Sequence, residues 1–361
     1  MADQYELFKD AIAQARSSKT PLRIRGAGTK DWLGNELRGT VLPTQFHQGI
    51  VQYQPDELVI TVKAGTPVKE VLAELASKDQ QFAFDPPVYE NATIGGMVCS
   101  GLAGPGRISV GNLRDFVLGV TVMDGRGDVL KFGGTVMKNV AGYDISRLLP
   151  GSMGTLALLL DVSIKVLPKP AASATVNARM SQEQAIRLSN TLASQPWPIN
   201  ASSWQGQQEG TLHLRLNGAK AAVQSAISAF KEYGMQTVNE SEAALHWQGL
   251  REQSHPWFNP ELKLWRFALP PTTPPLAIAQ DCLVEWHGGQ RWVQGELDYA
   301  SWSQKARELG GHLSLFRASD RSSQLRASLK DSPKTQALHL IENRLRQTFD
   351  PEGVFATGRI N

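Results

Sequence analysis

Six consecutive residues, Arg25-Gly26-Ala27-Gly28-Thr29-Lys30, follow the short apolar run Leu22–Ile24. Two glycines one residue apart let the chain turn sharply, and successive backbone N–H groups in such a turn converge on one point. That arrangement is an anion nest suited to a pyrophosphate; the alternative is an ordinary structural turn. Two other phosphate devices are excluded. A G-x-G-x-x-G fingerprint fails because Asp31 stands where its last glycine should be, and no G-x-x-x-x-G-K-[ST] loop occurs. Neither a Rossmann fold nor a nucleoside triphosphate site is indicated.

Nearly half of the 32 glycines lie between Gly95 and Gly154. Three compact signatures sit in or beside that stretch: Thr93-Ile94-Gly95-Gly96, the run from Lys138 to Asp144, and Gly151-Ser152-Met153-Gly154-Thr155-Leu156. Glycine this dense without repetition lets backbone pass close to a ligand. It argues for a large, buried, phosphate-bearing cofactor. Thr93–Gly96 comes soon after Asp85-Pro86-Pro87 and is followed by Gly101, Gly104, Gly106 and Gly111. These residue types suit a loop lying along a flat ring and its ribityl chain, against the alternative of a structural glycine loop. Lys138 and Tyr143 flank a glycine turn and are expected to order the loop rather than do chemistry.

Acid–base candidates are few. His287, in Glu285-Trp286-His287-Gly288-Gly289-Gln290-Arg291, has the side chain that titrates nearest neutral pH. Arg291, Arg266 and Arg107 could each pair with a carboxylate through two parallel bonds. A structural histidine and solvated arginines are the competing readings. Eight of the nine tryptophans fall between Trp197 and Trp302, where they serve a core or a partner surface. Cys99 and Cys282 form no CxxC pair and no ligand cluster, so no metal site is expected and both read as small buried apolar residues.

These groups need elements to hold them. Leu22–Ile24, Leu58–Lys63, Asp115–Asp124, Gly127–Phe132 and Leu156–Val166 read as strands. Pro67 suits a first helical position, with Val68, Val71, Leu72 and Leu75 as the apolar face behind it. Pro168-Lys169-Pro170 breaks the pattern and marks a domain boundary. Beyond it, Ala174–Met180, Thr211–Leu216, Leu262–Leu269, Cys282–His287, Arg291–Val293 and His312–Phe316 read as strands. Ser181–Ser194, Ala219–Tyr233 and Trp302–Leu309 read as helices, and Pro270–Pro275 as a loop. Strand–helix–strand units with short links suggest a ferredoxin-like layer, split or doubled. A last helix, Lys334–Phe349, leads into a turn-rich tail ending at Arg359 that looks like a return to the first domain.

The whole chain sets bounds. Its 361 residues suffice for two domains, and 41% apolar with 20% charged residues is ordinary globular composition. A formal charge of +3 and no polybasic run argue against nucleic acid. Leu156–Leu167 is broken by Asp161 and Lys165, so it reads as a buried strand, not a membrane span. The opening Met1-Ala2-Asp3-Gln4 lacks a signal peptide's basic start and apolar core, so a cytoplasmic location is expected, with membrane contact only indirect.

Taken together, Arg25–Lys30, Thr93–Gly96, Gly101–Pro105, Arg114-Asp115, Lys138–Asp144, Gly151–Leu156 and the tail Phe349–Arg359 resemble the FAD domain of the vanillyl-alcohol oxidase, or p-cresol methylhydroxylase, flavoprotein superfamily. Their order and spacing are most similar to the small FAD-binding subunits of bacterial glycolate oxidases. The resemblance implies an α+β fold: a two-part FAD-binding domain of p-cresol methylhydroxylase type, residues 1–170, with a ferredoxin-like α/β cap over residues 171–335. A C-terminal helix and tail, residues 336–361, return to the FAD domain. By position, Gly26, Ala27, Gly28 and Thr29 would hold the pyrophosphate. Thr93, Ile94, Gly95, Gly96, Gly101 and Gly104 would line the ribityl and isoalloxazine region. Gly154 and Thr155 would lie on the adenosine or phosphate side, and Arg359 would close the site. Arg25, Lys30, Pro86 and Arg107 complete the expected cofactor contacts.

The resemblance implies oxidation of a small 2-hydroxy acid, glycolate to glyoxylate, within a hetero-oligomer containing a larger flavin subunit. Electrons would leave through an iron–sulfur partner toward a membrane quinone, with any contact to the inner membrane made by partner subunits. Two departures qualify this. Relatives with covalent flavin carry histidine where Thr29 stands, so FAD is expected to be dissociable. Catalytic subunits of the group carry a run resembling His-x-Gly-Asp-Gly-Asn, and here Glu285–Gly289 occupies a comparable place without Asp-Gly-Asn. The catalytic candidates are therefore only His287 and Arg291. The alternative is a non-catalytic, FAD-retaining assembly or electron-relay subunit; a stand-alone oxidase using oxygen is a third reading.

Overall fold

The computed structural model describes residues 4–136, 144–319 and 336–360. Lys138 and Tyr143 of the second glycine signature, the start of the last helix at Lys334, and the division at residue 335 lie outside the described residues.

Strand β8 (Leu158–Lys165) explains the apolar run that precedes the proline pair. Leu158, Leu159, Leu160, Val162 and Ile164 are all buried, because both faces of this strand are covered. It is the middle strand of an antiparallel sheet. With β3 (Ile50–Gln54), β4 (Val59–Lys63), β6 (Val117–Met123) and β7 (Val129–Gly133), the order is β3-β4-β8-β6-β7. One face packs on α2 (Val68–Ser77) and α3 (Ile94–Ser100) through Val68, Val71, Leu75, Ile94 and Met97. The other face meets α1 (Gln4–Ser18) through Phe8 and Ile12, together with Leu22, Leu42, Val354 and Phe355. The parallel pair β1 (Leu22–Arg25) and β2 (Thr40–Pro43) lies at this second core, and Leu22 N–H donates to the Val354 carbonyl at 2.6 Å.

Three local readings change. Pro67 is the N-cap of α2 rather than its first helical residue. Thr93–Gly96 is not a loop but the start of α3. The Thr93 hydroxyl accepts from Gly96 N–H at 3.2 Å as an N-cap, and Gly101, at φ 63°, ends the helix in the left-handed region. Asp115 belongs to a helical turn, Leu113–Phe116, closed by an Asn112–Asp115 capping box, so β6 begins only at Val117.

The middle of the chain forms one eight-stranded antiparallel sheet. Its first half is β10 (Ala172–Ser181), α6 (Gln182–Ala193), β11 (Ile199–Gly206), β12 (Glu209–Gly218), α7 (Lys220–Phe230) and β13 (Gln236–Thr237), with strands in the order β13-β10-β12-β11. Its second half is β14 (Leu264–Ala268), β15 (Cys282–Glu285), β16 (Gln290–Gln294), α9 (Tyr299–Glu308) and β17 (His312–Arg317), in the order β15-β16-β14-β17. Each half follows the fourth-first-third-second order of a ferredoxin-like unit, and β11 pairs with β15 at the seam. The layer is thus doubled. In the second half the loop through Pro270–Pro275 replaces the first helix.

Alternation divides this sheet into two faces. Trp204, Leu212, Leu214, Trp265, Phe267 and Val293 point under α6, α7 and α9. The opposite face carries Arg215, Arg266, Glu285, Gln290 and Trp292, and α8 (Glu240–Glu252) packs on part of it through Trp247 and Leu250. This polar face meets the first part of the chain. Glu252 accepts from Val88 N–H at 2.8 and 3.1 Å, Arg215 pairs with Asp85, and Trp286 Nε1–H donates to the Gly104 carbonyl at 3.2 Å. The guanidinium of Arg107 lies 4.4 Å from the Trp286 ring centroid.

Candidate functional site

A cleft enclosing about 680 Å³ with its open mouth lies where β1 runs into the Arg25–Lys30 turn. That volume is ordinary for a small-molecule or cofactor site. Arg25, Gly26, Ala27, Gly28, Thr29 and Lys30 form one wall, Thr93, Gly95, Gly96 and Cys99 another, and Gly154 and Arg359 close it. Residues of the Arg25–Lys30, Thr93–Gly96 and Gly151–Leu156 signatures and of the tail therefore share one cleft, although they are separated by more than three hundred residues.

The turn has the geometry of a nest. Gly28 takes φ 75°, and a Cβ there would sit 2.2 Å from the Arg25 guanidinium. Gly26 packs so closely that a Cβ would meet the Thr93 hydroxyl at 2.3 Å. Among the described residues, the backbone N–H groups of Ala27, Gly28, Thr29 and Lys30 reach no protein acceptor. Four adjacent unpaired donors at a cleft wall call for an anion.

The charges agree. Arg25 is occupied, its Nε–H donating to Asp31 at 2.7 Å. Arg359 is occupied too: its guanidinium donates to the Lys30 carbonyl and, at 3.2 Å, to the Leu33 carbonyl. Lys30 is different. Its ammonium is buried, reaches only the Thr29 hydroxyl among the described residues, at 3.5 Å, and lies 5.3 Å from the Tyr89 ring centroid. Burial, then the charge of Arg359, pushes its pKa down to about 8. A buried cation with so little compensation is stabilised by a bound anion. Cys99 also lines the cleft, with its thiol pushed up to about 11 by burial, so it stays protonated.

Several expected contacts lie elsewhere. Ile94 is fully buried in the core between α3 and the five-stranded sheet, because it sits on the core-facing side of its helix. Gly101 abuts Gly151, where a Cβ would come within 2.9 Å of the backbone. Thr155 turns inward, its hydroxyl donating to the Ser152 carbonyl at 2.8 Å. Pro86 is buried beside Asp85, and Arg107 stacks on Trp286. Gly104 lines a second cleft.

That second cleft, about 340 Å³ with its mouth, lies between Pro87, Leu102, Ala103 and Gly104 on one side and Arg266, Glu285, Gln290, Trp292 and Phe316 on the other. Glu285 is 3% exposed, and its Oε2 accepts from Trp292 Nε1–H at 2.6 Å and Gln290 Nε2–H at 3.0 Å. Burial wins over these two donors and pushes its pKa up to about 7. Burial, and then the charge of Arg107, pulls Arg266 down to about 10.

The two clefts are neighbours across a run of aromatic rings. Tyr89 lies beside Lys30, Trp32 meets Tyr89 at 6.3 Å and Phe316 at 5.3 Å, and Phe316 meets Trp292 at 4.8 Å between centroids.

Neither catalytic candidate from the sequence lines either of these clefts. His287 is buried in a left-handed turn, with φ 56°. Its N–H donates to the Ser202 hydroxyl and its carbonyl accepts from Asn190, so its backbone organises the turn. Burial holds its imidazole down to about 4, and it stays neutral at physiological pH. Arg291 is fully buried, and its guanidinium donates to the carbonyls of Gly288, Thr273 and Pro274. It fastens the loop between β14 and β15. Sequence reasoning overlooked Glu285, Gln290 and Trp292 as a group. The usable signal was alternation: Gln290 and Trp292 sit two apart on one strand, facing the same way as Arg266 on the next.

Residues 2–133 match the family described as FAD binding domain. The chain is 39% identical over 359 residues to glycolate oxidase subunit GlcE of Escherichia coli (strain K12), covering 99% of this chain and 97% of that one. It is 30% identical over 190 residues to glycolate oxidase subunit GlcD of Bacillus subtilis (strain 168), covering 48% of this chain and 40% of that one. A solved structure of alkyldihydroxyacetonephosphate synthase superposes with a TM-score of 0.66 at 13% identity, over 96% of this chain and 74% of that one, which is a likeness of fold.

Proposed function

This chain belongs to the glycolate oxidase subunit GlcE family, and on that premise we propose that it is the FAD-holding subunit of a multi-subunit oxidoreductase acting on glycolate or a similar 2-hydroxy acid. The observation that carries the reading is the cleft with four N–H donors at Ala27–Lys30, unpaired among the described residues, and the little-compensated Lys30 ammonium. These residues fit a pyrophosphate. Gly26 and Gly28 let the backbone approach it, Lys30 neutralises it, and Arg359 holds the turn in place from the tail. When bound, FAD supplies the two-electron acceptor for oxidation of the α-carbon.

Two finer points belong to the same proposal. FAD is held without a covalent tether, because Thr29 offers no nucleophile of the usual kind and burial keeps the Cys99 thiol protonated. Electrons leave through a different chain bearing iron–sulfur clusters, because two cysteines are too few to ligate a cluster here. The chain then works beside a larger flavin subunit, and any contact with a membrane is made by its partners; among the described residues no helix is long and apolar enough to cross one.

A second reading, of an assembly or relay subunit that retains FAD without oxidising substrate, is favoured by the closed environment of His287 and the structural role of Arg291. Anaerobic mixing separates the two. Purified chain should carry releasable FAD, and glycolate should bleach the flavin bands. Bleaching only after the partner subunits are added would establish the relay reading. A chain that takes up no flavin at all would refute both.

A further inference from the structure

The second cleft holds a cation and an acid that do not meet. Arg266 stands on β14 opposite Trp292 on β16, and Glu285 on β15 stands opposite Gln290, so all four share the polar face of the cap sheet. Across from them, Leu102, Ala103 and Gly104 close the space with apolar groups and backbone. Among the described residues the Arg266 side chain makes no hydrogen bond and no ion pair, and its Nε is buried without a partner. Its one partner is the Phe316 ring, 5.4 Å from the guanidinium to the centroid. Arg251, which lines the same cleft, is already paired with Glu252 at 2.8 Å. Glu285 does not neutralise Arg266. Its Oε2 is taken by Trp292 and Gln290, and Oε1 has no protein donor among the described residues.

A guanidinium lining a largely buried cleft without a counter-ion is costly, and a ligand carboxylate satisfies it through two parallel bonds. The Glu285 carboxyl on the same face of the sheet sets a second requirement. Its pKa lies near neutrality, so it either accepts from a hydroxyl or donates to a keto oxygen.

We propose that this cleft is a small-carboxylate site in which Arg266 pairs with the ligand's carboxylate and Glu285 hydrogen-bonds the oxygen on its adjacent carbon. The class is 2-hydroxy acids and their 2-keto products, a choice that rests on the functional reading above, whereas the carboxylate pairing rests on the cleft alone. The absence of a His-x-Gly-Asp-Gly-Asn run then does not leave the chain without a place for substrate.

The test is direct binding, read by intrinsic tryptophan fluorescence and calorimetry on the purified chain with and without FAD. Probes are sodium glycolate, oxalate, acetate and neutral glycolamide. Glycolate and oxalate should bind at least tenfold more tightly than glycolamide. Arg266→Gln should weaken the carboxylates at least tenfold and leave glycolamide unchanged, with Arg266→Lys in between. Glu285→Gln should weaken glycolate while acetate stays within twofold. Equal binding of glycolate and glycolamide to the native chain, which requires no variant to fold, overturns the proposal, as does native-like glycolate binding by Arg266→Gln. A chain that refuses FAD but binds glycolate through Arg266 would sink the flavoprotein reading and keep this site; a flavin-loaded chain indifferent to Arg266→Gln would do the reverse.

Discussion

The guanidinium of Arg359 donates to the carbonyl oxygen of Lys30, so the last residues of the chain fasten the first glycine turn. A second bond to the Leu33 carbonyl, at 3.2 Å, and the Asn35 N–H to Arg359 carbonyl bond, at 3.0 Å, make this a two-way clasp. Bonds from a charged donor are worth about 1.5–3 kcal/mol each when buried partners are left behind. Arg359→Ala should therefore weaken FAD retention about tenfold or more, with Arg359→Lys partly restoring it. Equilibrium dialysis of flavin against the refolded variants measures this, and undiminished retention would show the clasp to be ornamental.

Gly28 offers a sharper test of the nest. At φ 75° a side chain costs about 1–2 kcal/mol in backbone strain alone, and a Cβ there would also displace Arg25 from Asp31. Gly28→Ala is expected to keep native circular dichroism, lose a few degrees of Tm and release FAD on gel filtration. Flavin content equal to the native chain would count against a backbone anion site.

Lys30→Met should act through charge with little effect on packing. Removing the buried ammonium lowers FAD affinity by about ten- to a hundredfold, the value of one charge-assisted contact. The apo-chain should be no less stable, since a buried cation with so little compensation is itself unfavourable. A variant that is destabilised yet binds flavin normally would invert the assignment.

The Glu285 carboxyl makes a pH prediction. Its folded pKa is about 7 against an ordinary value of 4.5. As pH rises through that window the unfolded chain ionises first, so stability is lost progressively and stays lost above pH 7. The full effect is at most about 3 kcal/mol. Glu285→Gln removes it, so the gain in Tm over the native chain should grow between pH 5 and pH 8. A gap independent of pH would mean that burial does not control this group.

A histidine stack works in the opposite direction. His213 and His246 lie 4.1 Å apart between ring centroids, with His255 5.2 Å from His246. Burial, then neighbouring imidazole charge, holds His213 down to about 4 and His246 to about 3. The unfolded chain takes up these protons near pH 6.5 and the folded chain does not, so stability falls as pH drops from there toward 4. The loss is roughly 3 kcal/mol per imidazole. His246→Gln should flatten the acid limb of a chemical-denaturation series; an unchanged slope would exclude the stack as its cause.

What the sequence determined by itself was local and backbone-driven. Gly26, Gly28 and Gly154 declared close approach because glycine alone tolerates those turns, and the apolar run of β8 declared a strand covered on both faces. Order and spacing of the signatures were enough to place the chain among flavoproteins. Tertiary structure decided which side chains were available. Arg291 and Arg266 look alike in sequence, yet one is consumed by three backbone carbonyls and the other lines a cleft with no hydrogen-bond or ion-pair partner among the described residues. His287 reads as an acid–base group until burial seals it, while Glu285, two residues earlier, acquires a near-neutral pKa from that same burial. The reason is physical. Charge, hydration and free valence depend on what distant strands and the chain's own tail bring alongside, and those neighbours are set by the doubled sheet and the closing of Arg359 on Lys30, not by adjacency along the chain.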